Sequence, residues 1–120
     1  MSFSIREKPG FEGLKMRVLA VEGAIDLGTL EVLSDSISSV HESGVKRLVI
    51  DMEQTSGFSS AGWGCLVEWQ YKLRQEGGNL VLTQMPAAQK RIYELMGLDG
   101  TLTNYDRMAD AVKFLSGWVR

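Results

Sequence analysis

Two short apolar runs, Leu48-Val49-Ile50 and Leu80-Val81-Leu82, constrain the fold more than any other feature of this chain. Neither alternates apolar with polar residues, as a strand with one wet face would. Each reads as a strand buried on both faces, the first lying within Arg47–Met52. Between them lies a stretch with apolar residues at helical spacing. Strands alternating with helices in this way argue for an α/β sheet with helical cover.

The flanking segments extend that pattern. Phe3–Arg6 and Met16–Glu22 read as two strands joined by a turn around Pro9, Gly10 and Gly13. Leu30, Leu33, Ile37 and Val40 recur on one helical face, with Asp26 as the cap and Gly44 as a left-handed stop. A loop over Glu53–Ser59 leads into a helix over Ser60–Glu76. Leu66, Trp69 and Leu73 share its inner face, with Ala61 and Cys65 beside them. Gly77-Gly78 ends that helix. Pro86 opens a short helix carrying Ile92, Leu95 and Met96, which Gly97 terminates. A brief strand near Leu102–Asn104 precedes a last helix, capped by Asp106 and burying Ala111, Val112 and Leu115. With no linker, repeat or low-complexity tract, residues 1–120 read as one α/β domain.

Composition removes most chemistry. Hydrophobic residues make up 44% and charged residues 23%, as in ordinary globular chains. The net charge of −2 lacks the basic surplus of a nucleic-acid binder. One cysteine, Cys65, excludes an internal disulfide framework, and one histidine, His41, excludes any site that needs two. The first residues, MSFSIREKPG, lack the basic-then-apolar pattern of a signal peptide, and no apolar run is long enough for a bilayer. A cytosolic setting without membrane insertion is expected.

Three motifs could still carry chemistry. Leu48–Asp51 has the acidic strand end of a nucleotide hydrolase, but no phosphate-binding Gly-x-x-x-x-Gly-Lys-Ser/Thr loop accompanies it. Gly57-Phe58-Ser59-Ser60-Ala61 has the look of a nucleophile elbow, yet its base would have to follow the serine, and His41 precedes it. The third is Ser59-Ser60-Ala61-Gly62 at a helix start. Either serine could cap the helix. Either could also take a phosphate, whose charge of about −1.5 to −2 suits the amide donors and positive dipole of a helix N-terminus. Trp63, off the Leu66–Trp69–Leu73 stripe, reads either as ordinary packing or as an exposed interface anchor.

Gly23-Ala24-Ile25-Asp26 with Thr29, then Leu48–Asp51, Phe58–Gly64, Gly77-Gly78-Asn79-Leu80 and Gly97-Leu98, follow one another in an order and spacing that resembles the STAS domain of bacterial anti-sigma factor antagonists. The resemblance spans Phe3 to Leu115. It implies a mixed sheet of about five strands covered by about four helices. It also implies a switch rather than an enzyme. The unmodified chain would bind an anti-sigma factor that is also a serine kinase, releasing a sigma factor. Phosphorylation at the start of the second helix would break the complex, and a PP2C-type phosphatase would restore it. ATP and magnesium would belong to the kinase, leaving this chain without a cofactor.

Aligned on Gly62 and Gly64, the family's Asp-Ser-Ser/Thr-Gly-Leu-Gly places the acceptor on Ser60, with Ser59 where the family has aspartate and Trp63 where it has leucine. Ser59 is then an alternative acceptor. The implied partner surface comprises Asp26, Thr29, Ser56, Gly57, Phe58, Ser59, Ser60, Ala61 and Trp63. The missing aspartate leaves a second reading, a STAS module that binds a transporter or stress-sensing complex without being phosphorylated.

Overall fold

The computed structural model describes residues 3–117. Five strands, β1 (Ser4–Lys8), β2 (Arg17–Ile25), β3 (Arg47–Phe58), β4 (Asn79–Thr83) and β5 (Thr103–Tyr105), form one sheet in the order β1-β2-β3-β4-β5. β1 runs antiparallel to β2, and all later pairs are parallel. Four helices complete the fold: α1 (Leu30–Glu42), α2 (Ser60–Gln75), α3 (Ala87–Leu95) and α4 (Met108–Ser116).

The pleat of β3 and β4 sorts their side chains into two cores. Leu48, Ile50, Met52, Leu80 and Leu82 face α1, α2 and α3, where they meet Leu33, Ile37, Leu66, Leu73 and Tyr93. Val49 and Val81 face the other way and pack with Met16, Val18, Ala111 and Leu115 under α4. This double cover explains why the two runs lack alternation.

Asp51 alternates with Ile50 and Met52 and so points to the α4 side, yet it is only 3% exposed. Its carboxylate lies 2.6 Å from the Lys8 ammonium and accepts hydrogen bonds from Gln84 Nε2 at 2.9 Å and Glu53 N–H at 3.1 Å. Lys8 reaches it from the edge strand across β2, where the residue paired with Asp51 is the small Ala20. The acidic strand end is thus a structural ion pair.

Several boundaries differ from those read in the sequence. Glu53–Ser59 is not a loop: β3 continues to Phe58, pairing with β2 up to Ile25. Ala20 pairs with Asp51 but Glu22 with Gln54, and Gly23 pairs with Thr55 but Ala24 with Gly57. These two register shifts each insert a residue into β3 and break its period-two pattern. Asp26 does not cap α1, whose cap position is Thr29, and Arg107 rather than Asp106 precedes α4. Asp106 instead pairs with Lys90 at 3.0 Å. Gly44 does end α1 in the left-handed region, at φ +91°. On α3, Ile92, Leu95 and Met96 are exposed, while Gln89 and Tyr93 are buried. Tyr93 packs in the apolar core, and its hydroxyl donates to the Leu102 carbonyl just before β5.

Candidate functional site

Ser59 and Ser60 sit where β3 gives way to α2, at the carboxyl ends of the parallel strands, the usual location of sites in open α/β sheets. The two serines divide the available roles. Ser59 is the N-cap, extended at φ −76° and ψ 167°, and its hydroxyl accepts the Gly62 N–H at 3.2 Å. Its carbonyl accepts the Trp63 N–H at 3.1 Å. Ser60 is the first helical residue and is exposed. The first turn of α2 holds no acidic side chain.

A second segment lies alongside. Ile25 pairs with Phe58 as the last rung between β2 and β3, and Ser59 N–H donates to the Ile25 carbonyl at 2.8 Å. The chain then turns through Asp26-Leu27-Gly28-Thr29. Asp26 Oδ1 accepts the Gly28 N–H at 2.8 Å and the Thr29 N–H at 3.2 Å. The Thr29 hydroxyl donates to the Ala24 carbonyl at 2.8 Å and accepts the Asp26 N–H at 3.0 Å. Asp26 and Thr29 therefore build a closed turn beside Ser59, before α1 begins. The sequence-derived set of Asp26, Thr29 and Ser56–Ala61 does converge on one end of the sheet.

Within that set exposure is uneven. Asp26, Ser56 and Ser60 are exposed; Thr29, Gly57, Ser59 and Ala61 are partly so; Phe58 is buried. Trp63 is 1% exposed, which corrects the reading of it as an exposed anchor. Its ring packs against Phe58 at 5.0 Å and Tyr93 at 6.2 Å between centroids. Trp69, read as core, is instead partly exposed, with its ring 5.5 Å from His41 and Lys72 Nζ 5.0 Å from its centroid. The buried stripe of α2 runs Trp63, Leu66, Gln70, Leu73. Gln70 obscures it in the sequence. That side chain is buried because it donates to Asn79 Oδ1 at 2.7 Å and accepts the Leu80 N–H at 2.6 Å.

Gly62 brings α2 close to the strands. A Cβ there would lie 2.6 Å from Ile25 Cγ2 and 3.0 Å from Phe58 Cδ2.

The groups needed for hydrolysis are elsewhere. His41 Nε2 lies 2.8 Å from Glu76 Oε1, beyond the C-terminus of α2 and about 24 Å along that helix from Ser60. The His41 hydrogen bond holds the Glu76 carboxyl below its ordinary pKa. Burial pushes the Cys65 thiol up, keeping it protonated and weakly nucleophilic. Among the described residues, no three His, Cys, Asp or Glu side chains cluster to hold a metal ion, and no helix is long and apolar enough to cross a membrane.

Leu27 escaped the sequence reading. It is 83% exposed at the tip of the Asp26–Thr29 turn. The available signal was an apolar residue between two turn-forming ones, Asp26 and Gly28.

Comparison with known proteins agrees with this fold. The family profile described as "Mlab, STAS domain" matches residues 13–104. BtrV of Bordetella bronchiseptica, assigned as an anti-sigma factor antagonist, is 26% identical over 82 residues, covering 68% of this chain and 71% of that protein. The crystal structure of an anti-sigma factor antagonist from Mycobacterium paratuberculosis superposes with a TM-score of 0.83 at 26% identity, over 95% of this chain and 94% of that one. The anti-sigma factor antagonist SpoIIAA of Bacillus shares the fold at lower identity. Its unphosphorylated form gives a TM-score of 0.70 at 16% identity, over 97% of this chain and 99% of that one. Its phosphorylated form gives 0.67 at 17%, over 94% and 98%.

Proposed function

The chain belongs to the STAS-domain family, as an anti-sigma factor antagonist-like member, and from that premise we propose that it binds an anti-sigma factor serine kinase and is switched off by phosphorylation on Ser60. One observation carries the assignment of the acceptor: Ser59 occupies the capping position, while Ser60 is exposed beside the Asp26–Thr29 turn.

The switch is electrostatic. In the unmodified protein the exposed parts of Asp26, Thr29, Ser56, Gly57 and Ser59–Ala61 form the surface that the partner covers. A phosphate on Ser60 adds a charge of about −1.5 to −2 to that surface, at the end that already carries the exposed Asp26. Covering an unpaired dianion requires stripping its water, which opposes the complex without rearranging the fold. A PP2C-type phosphatase would remove the charge and restore binding. Phe58 and Trp63 act from beneath, as packing that positions the start of α2.

Incubation with the cognate kinase and ATP should place one phosphate on the peptide containing Ser59 and Ser60, and Ser60→Ala should abolish it. Ser60→Asp should raise the dissociation constant for the kinase roughly tenfold or more, measured by calorimetry. A phosphate that survives Ser60→Ala but disappears in Ser59→Ala would move the acceptor to Ser59. No phosphate on either serine would overturn the switch.

The neutral Ser59 at the family's aspartate position and the "Mlab, STAS domain" profile favour one second reading, a module that binds a transporter or stress-sensing complex without modification. In that case Ser60→Ala and wild type bind the partner alike, and no phosphate appears during growth.

A further inference from the structure

We propose that Leu27 is the apolar anchor by which this chain seats in its partner, filling a pocket on the anti-sigma factor kinase beside the cleft that receives Ser60. This rests on the switch reading above. It transfers to Leu27 the anchoring role that Trp63, being buried, does not fill.

The first ground is where Leu27 is held. Adjacent strands lie about 4.8 Å apart. Ile25 and Phe58 are paired across β2 and β3, and Leu27 and Ser60 each follow two residues later. They leave the sheet side by side, and the Ser59 N–H to Ile25 carbonyl bond ties the two segments together. A partner that closes over the Ser60 hydroxyl must therefore also cover the tip of this turn.

The second ground is how it is held. Isolated exposed leucines are common on protein surfaces and need no explanation. Leu27 sits on a turn whose backbone is closed by the Asp26 carboxylate and the Thr29 hydroxyl, and 83% of it remains exposed. Asp26 and Thr29 thus spend their hydrogen bonds within the turn, and the residue they present outward is apolar. A side chain on a pre-formed turn loses little backbone freedom on binding, which favours affinity. The partly buried Leu30, just after the turn, and Ala61 line a groove between α1 and α2 together with Ser34, Cys65, Glu68 and Trp69. The fitting partner surface is accordingly apolar opposite Leu27 and polar opposite Ser60.

The test uses the full chain and the purified anti-sigma factor kinase. Leu27→Ala should raise the calorimetric dissociation constant roughly tenfold or more. Its melting temperature should match wild type, since the side chain supports nothing inside the fold. In phosphorylation kinetics the same variant should raise KM for this chain and leave kcat at saturation unchanged, and Leu27→Met should restore binding to within a few-fold. Should wild type bind while Leu27→Ala binds within twofold of it, the anchor is overturned and the switch stands. A lowered melting temperature accompanying the loss would assign Leu27 to the fold instead. If wild type neither binds the kinase nor accepts phosphate, the switch itself fails and the anchor falls with it.

Discussion

Trp63→Ala is expected to lower the free energy of unfolding by about 3–5 kcal/mol, the usual range for truncating a fully buried tryptophan. The ring is 1% exposed and is held between Phe58 at the end of β3 and Tyr93 of α3. Its loss would open a cavity where the first turn of α2, the end of β3 and α3 meet. Trp63→Phe should cost clearly less. Among the described residues the indole N–H has no hydrogen-bond partner, so phenylalanine would remove an unsatisfied donor together with part of the ring. Urea unfolding followed by circular dichroism gives both values. A cost below 1 kcal/mol for Trp63→Ala would show that the ring is not packed as described. The same variant should also bind a partner less well, but with a lowered melting temperature, in contrast to Leu27→Ala.

Gly78→Ala is the second large effect. A Cβ at this position would stand 2.0 Å from the Lys46 carbonyl oxygen and 2.9 Å from its carbonyl carbon. Both are backbone atoms, so no side-chain rotation relieves the clash. The first hydrogen bond between the β3 and β4 entrances, from Asn79 N–H to Lys46 O at 2.9 Å, must lengthen to make room. Overpacking usually costs about 1–3 kcal/mol. A clash confined to backbone should reach or pass the upper end of that range. By comparison, alanine at Gly64, where nothing lies within 4 Å of the added carbon, should be nearly neutral or slightly stabilising. Comparable unfolding free energies for the two variants would refute the close approach.

The order of the elements was legible because Leu48–Ile50 and Leu80–Leu82, buried from both sides, alternate with segments of helical spacing. The errors each have a local cause. Two inserted residues in β3 put Glu53, Gln54 and Ser56 on exposed positions, so a paired strand looks like a loop. Gln70 is polar yet buried and Trp69 apolar yet only partly buried, so counting hydrophobicity along α2 selects a stripe rotated by one position. On α3 the interior face is Gln89 and Tyr93, and Tyr93 packs in the apolar core while its hydroxyl donates to the Leu102 carbonyl, so a count of apolar residues misses that face. At the candidate site, Asp26, Thr29 and the two serines could be named from their turn chemistry and family resemblance. The resemblance implied Ser60 as acceptor, but that Ser59 is the cap was not legible, because it depends on the strand register that ends at Ile25 and Phe58.

The uncharged first turn of α2 has a thermodynamic consequence. The family motif that this chain resembles has aspartate before its acceptor, a fixed negative charge near the positive end of that helix. Here Ser59 caps without charge, and on the proposed reading a phosphate at Ser60 would bring the first negative charge into that turn. Stabilisation of this kind is worth about 0.3–1 kcal/mol at low ionic strength. The isolated phosphoprotein should therefore melt above the unmodified one, with a gap that closes as salt is added. On that proposed reading the phosphorylated state would be the sturdier one.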